Sequence, residues 1–117
     1  MKVKRCDFGD GRTGYRFWCT GCGEFHAIPV EGGAGCWTFS GDEQSPTFSP
    51  SILVGGVEWP TDAEVAALQR GEKIEKRKTV CHSFVRSGRI EYLSDCTHSF
   101  AGKTVDMRNL FTEEPKP

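Results

Sequence analysis

Apolar and polar residues alternate along this chain in short runs, and turn-forming clusters interrupt them about every eight to twelve residues. The period of two predicts strands over 15–18, 25–30, 36–39 and 51–54. Gly9-Asp10-Gly11, Gly32 to Gly35, Ser40-Gly41-Asp42 and Gly55-Gly56 bound them. The clearest hairpin spans 80–95, with Ser87-Gly88 as a two-residue turn. That turn sets a register in which Val85 faces Ile90, Ser83 faces Tyr92 and Cys81 faces Ser94. Alternation then puts Cys81, Ser83, Val85, Ile90, Tyr92 and Cys96 on one side, with His82, Phe84, Leu93 and Asp95 on the other. A slip of one residue would reverse every side chain. One helix is predicted over 62–70, where Thr61 and Glu64 form a capping box after Pro60 and Gly71 ends the run. Its apolar stripe, Val65 and Leu68, is narrow, so the helix should be peripheral.

These elements predict a mainly β fold: a small twisted sheet or partly open barrel with a zinc knuckle and one short helix. At 117 residues one domain is expected, spanning 1–111, with a polar, frayed tail at 112–117. Charged residues make up 26% of the chain and the formal net charge is −1, so bulk electrostatics favour neither nucleic acid nor an anionic membrane. No run approaches the roughly 18 apolar residues of a membrane span, and the N-terminus lacks the apolar core of a signal peptide. A cytoplasmic, reducing location is the expectation, and with it free rather than disulfide-bonded cysteines.

Free cysteines direct attention to Cys19-Thr20-Gly21-Cys22, followed by Gly23. Two thiolates three positions apart on a tight turn can both face one Zn²⁺ ion. The remaining ligands must come from Cys81-His82 and Cys96-Thr97-His98. Cys81 is the expected third ligand and Cys96 the fourth, with His26 or His98 as rivals for that place. Four protein ligands make a closed structural site; three plus water make a catalytic one. Trp18-Cys19-Thr20-Gly21-Cys22 also has thioredoxin-like wording, but the residues after Cys22 are poor helix formers, and the redox motif depends on a helix N-terminus.

A second constellation is Ser, His and Asp. Prolines at 46 and 50 stiffen the segment that carries Ser45, Ser49 and Ser51. A rigid, exposed hydroxyl next to a base is what a nucleophilic serine needs. His82 and His98 are the candidate bases, and Asp95 could orient either.

The blocks FWCTGCGEFHAI, CWTFSGD with SPTFSPSILV, and CHSFVRSGRIEYLSDCTHSFAGKTVD resemble a family of small, mostly phage-encoded proteins often labelled "ammonia monooxygenase". That label conflicts with the chain, because the enzyme it names is a membrane-embedded copper oxidase. The resemblance extends to the BubE-like component of bacterial ubiquitin-like conjugation operons, a serine peptidase that removes the ubiquitin-like protein from its target. It implies Ser51 as nucleophile, His98 or His82 as general base and Asp95 as its orienter. It also implies a protein partner, either a ubiquitin-like substrate or, for a non-catalytic module, a host defence protein.

Overall fold

The computed structural model describes residues 1–58 and 60–110. The tail expected at 112–117 lies outside the described residues. Among the described residues, eight strands form two antiparallel sheets. The first sheet is β1 (Lys4–Asp7), β2 (Thr13–Cys19) and β3 (Glu24–Glu31), in that order. The second runs in the order β4 (Thr38–Gly41), β5 (Pro46–Val57), β6 (Lys78–Arg86), β7 (Arg89–Tyr92) and β8 (Thr104–Asp106). The mainly β class holds, with two sheets that do not close into a barrel.

Alternation explains how the sheets meet. In β2, Tyr15, Phe17 and Cys19 are buried while Arg16 is exposed. In β6, Cys81, Ser83 and Val85 are buried. The two inward faces pack around Phe48, whose ring centroid lies 6.1 Å from that of Tyr15, 6.4 Å from Phe17 and 5.4 Å from Phe39. Ile28, Ile52, Val85 and Ile90 complete this layer. Burial of these side chains supplies most of the drive to fold.

The hairpin keeps the expected register: Val85 opposite Ile90 and Ser83 opposite Tyr92. Ser87 and Gly88 both have positive φ, 49° and 77°, as a type I′ turn requires. The expected pairing of Cys81 with Ser94 does not form, because β7 ends at Tyr92. The chain turns there, Cys96 N–H bonding Leu93 O, and returns to β6 through Leu93 N–H to His82 O and Thr97 N–H to Val80 O.

β5 is longer than its sequence suggests. It runs through Gly55 and Gly56, opposite Val80 and Thr79. Pairing with β6 overrides the poor strand propensity of glycine. The ladder slips once: Phe48 pairs with Val85 and Ile52 with Ser83, so four steps on β5 match two on β6. Ser49, Pro50 and Ser51 bulge out between them, as such irregularities often do where a side chain must be re-aimed.

Helix α1 (Asp62–Gln69) starts at Thr61 with both capping-box bonds made, Glu64 N–H to Thr61 Oγ1 at 3.2 Å and Thr61 N–H to Glu64 Oε1 at 2.9 Å. It buries none of its residues. Thr61→Ala should therefore fray α1 at a cost of about 1 kcal/mol while leaving the sheets intact. Faster hydrogen exchange at the Glu64 amide, with unchanged exchange at Val85, is the expected readout.

Candidate functional site

β2 ends at Cys19, and the turn after it carries Cys22 on the same side. Gly23 N–H bonds Cys19 O at 2.8 Å, Cys22 N–H points at Cys19 Sγ at 3.4 Å, and Gly23 takes φ 68°. β6 brings Cys81 in from the opposite sheet, and the returning segment brings His98. The ligand atoms of Cys19, Cys22, Cys81 and His98 all lie within 4.8 Å of one another. Cys19 Sγ and Cys81 Sγ are 3.7 Å apart. A Zn–S bond of about 2.3 Å gives a tetrahedral S···S edge of about 3.8 Å, so this pair already has the spacing of two zinc ligands.

Two further observations fit a cation. His98 Nε2 is buried without a hydrogen-bond partner among the described residues. The thiols also cannot ionise together unaided. The hydrogen bond from Cys81, aided by His26, Tyr92 and the Cys22 N–H, holds Cys19 down at about 3. Burial, with the charge on Cys19, pushes Cys22 up to about 11, and the bond to Cys19, with burial, raises Cys81 above the ordinary thiol range. One negative charge is what the cluster holds alone; a divalent cation lets the other thiols ionise.

Cys96, expected as the fourth ligand, is not in this group; His98 is. The reason is the turn after β7, which sends Cys96 toward the backbone of His82 instead. Its Sγ donates to His82 O and receives His82 N–H, both at 3.2 Å. His26 also lies outside the group, beside Cys19. The thioredoxin-like geometry is absent, since Cys19 closes a strand and Glu24 opens another.

Sequence reasoning missed Tyr92 as part of this centre, although the hairpin register had set it on the face of Cys81. Its hydroxyl receives Gly21 N–H at 3.0 Å and lies 3.2 Å from Cys19 Sγ. Burial and the neighbouring Cys19 raise the phenol above its usual range, so it stays protonated and donates to the thiolate. Gly21 is required for a different reason: a Cβ there would stand 2.3 Å from the His98 ring. Tyr92→Phe should weaken metal binding about tenfold, as loss of an outer-shell donor does. Competition with a chromophoric chelator measures it.

The next residue along β6 points the other way. His82 emerges on the outer face, where Ser51 Oγ lies 3.0 Å from its Nε2 and Asp95 Oδ2 lies 3.1 Å from its Nδ1. Ser51, His82 and Asp95 therefore stand in one hydrogen-bonded line. His98, the rival base, faces the cysteines. Ser51 and His82 are half-buried and Asp95 is more open, its side chain 55% exposed. Trp37, for which the sequence carried no signal, donates its indole N–H to Ser51 O at 3.2 Å and braces the bulge.

The two clusters share their chain segments. Cys81 and His82 are adjacent on β6; Asp95 and His98 sit on the segment that returns to it. Thr97 Oγ1 receives Val80 N–H at 3.0 Å and donates to Val80 O at 3.3 Å, fastening that segment in place. A groove of about 590 Å³ lies beside the cysteine cluster and is lined by Cys22, Glu24, Val54 to Glu58, Cys81 and His98. Ser51, His82 and Asp95 do not line it; they sit on the open outer face of the second sheet. Among the described residues, no helix is long and apolar enough to cross a membrane.

Comparison with curated proteins gives no match, and comparison with solved structures gives none. The sequence model of a family described as the bacterial ubiquitination-like system serine protease (BubE) matches residues 5–93. The matched stretch includes Cys19, Cys22, Ser51, Cys81 and His82 and ends before Asp95 and His98. The chain belongs to the BubE family.

Proposed function

We propose that this member of the BubE family is a zinc-stabilised serine peptidase or isopeptidase that releases a ubiquitin-like protein from its targets. The observation that carries the reading is the line Ser51 Oγ, His82 Nε2, His82 Nδ1, Asp95 Oδ2, with spacings of 3.0 and 3.1 Å. In this reading Ser51 Oγ attacks the carbonyl of the scissile amide or isopeptide bond while His82 Nε2 takes its proton. Asp95 accepts a hydrogen bond from His82 Nδ1–H, which fixes the tautomer and stabilises the imidazolium. His82 then gives the proton to the leaving amine, and a water molecule activated by the same nitrogen hydrolyses the acyl-enzyme.

Zn²⁺ held by Cys19, Cys22, Cys81 and His98 supplies a cross-link between the sheets. Four protein donors leave no position for a reacting water, so the reading assigns the metal no part in bond cleavage. The place of the half-buried serine on an open sheet face suits a protein substrate, which brings its own surface to cover the site.

The test uses a ubiquitin-like fusion protein and a serine-reactive fluorophosphonate. Wild-type protein should cleave the fusion and gain the probe's mass on Ser51. Ser51→Ala should lose the label and at least about 10³-fold in cleavage rate. Undiminished cleavage by Ser51→Ala, or an unlabelled Ser51 in the wild type, would remove this mechanism. Wild-type protein that captures the fusion but neither cleaves it nor takes the label would instead point to a non-catalytic binding module.

A further inference from the structure

Beyond Ser51, β5 has a neighbour on one side only. β4 pairs with it as far as Ser49, opposite Thr38, and no strand continues that side along 50–57 among the described residues. Which backbone groups face this open side follows from β6. His82 N–H and O are engaged by Cys96 Sγ and Leu93 N–H, and Val80 N–H and O by Thr97. These groups therefore point away from β5. In an antiparallel ladder their partners, Leu53 and Gly55, must point away from β6 in turn. The N–H and C=O groups of Leu53 and Gly55 thus face the open edge, and Val57, in the same phase, continues the row. Ser51 O points to that side as well, where Trp37 Nε1 meets it and closes one end of the row.

Natural edge strands are usually blunted by a charge, a proline or a bulge. After Ser51 this edge reads Ile-Leu-Val-Gly-Gly-Val with none of them. The outer face carries Leu53 and Val57, 63% and 53% exposed, with Gly55 between them, where a Cβ would meet only Thr79 O within 4 Å, at 3.9 Å. Ser51 lies between this open side and His82, the order that attack requires: acyl carbon, hydroxyl, base.

We infer that the open edge of β5 from Leu53 to Val57 is the substrate-docking strand, and that it captures an extended, uncharged stretch of the polypeptide flanking the scissile bond by strand addition. The inference rests on the serine-hydrolase reading above and adds a substrate class to it: a flexible tail, not a folded surface loop. Backbone bonds to Leu53 and Gly55 supply affinity, and the space over Gly55 admits one substrate side chain between Leu53 and Val57.

Three probes test this on the wild-type protein: a small alkyl fluorophosphonate, a mixture of uncharged tetrapeptidyl diphenyl phosphonates, and the same mixture N-methylated along its backbone. Labelling of Ser51 is followed by mass spectrometry. The peptidyl probes should label Ser51 at least tenfold faster than their N-methylated counterparts, and hydrogen exchange at Leu53 and Gly55 should slow in the peptidyl adduct. Equal rates with and without methylation, or no protection of these amides, would overturn strand addition while leaving the serine reading intact. Failure of all three to label Ser51 would overturn both.

Discussion

Treatment with a strong chelator should remove one divalent ion per chain and lower the thermal midpoint by about 10 °C or more, a loss of several kcal/mol. The expectation follows from what the four ligands connect. Cys19 and Cys22 belong to the end of the three-stranded sheet, whereas Cys81 and His98 belong to the five-stranded sheet and its returning segment. Apparent binding energies of about 10–16 kcal/mol in small zinc modules rival the entire stability of a typical domain. Without the ion, raised pKa values keep Cys22 and Cys81 protonated, and His98 Nε2 stays buried without a partner. The Phe48 layer should retain some order, so the metal-free protein should keep strand signal in far-ultraviolet circular dichroism while losing its sharp transition. Cys81→Ser should behave alike. On the proposed reading, in which the ion has no part in bond cleavage, hydrolysis should still fall with the metal, because Cys81 adjoins His82 and His98 lies on the segment that carries Asp95. Calorimetry with a parallel metal count checks this. A Cys22→Ser protein that keeps both its ion and its midpoint would defeat the assignment.

Exchanging the two histidines should separate their roles. His82→Gln should lower kcat by about 10³-fold or more and leave the metal count and melting temperature near wild type, because general-base catalysis and nucleophile activation are lost together. His98→Gln should lose the metal and most of the stability, with activity falling as a consequence. Asp95→Asn should fall between wild type and His82→Gln, by about 10–10²-fold in kcat. Its side chain is 55% exposed, so solvent screens part of its interaction with His82. Steady-state kinetics on a ubiquitin-like fusion, with melting curves on the same preparations, give all three comparisons. Normal kcat in His82→Gln would exclude it as the base.

What could be read in advance was local. The capping box at Thr61 and Glu64 depends on three residues of separation, and the Ser87-Gly88 turn on two; both form as expected. That turn also fixed the faces of the paired part of the hairpin, which is why Cys81 turns inward and His82 outward. The Cys19/Cys22 spacing likewise marked half of a metal centre. Three features were not legible. The course of β5 through Gly55 and Gly56 depends on β6, whose pairing outweighs local propensity. Trp37 reaches Ser51 across 14 residues of sequence through the meeting of loop and strand. The choice of His98 over Cys96 rests on a turn at 93–96 that no hairpin rule supplies, because the strand stops short.

By itself, then, the order of residues determined the mainly β character, the short helix at 62–69, the pair of N-terminal thiols and the side of each residue from Cys81 to Tyr92, since these follow from spacing and backbone alternation over a few positions. Only the folded chain decided that His98 joins the cysteines while His82 meets Ser51. A bulge in β5 and a turn after β7 bring together atoms that lie 31 and 13 residues apart, and such distances are set by packing between strands, not by the neighbours of any one residue.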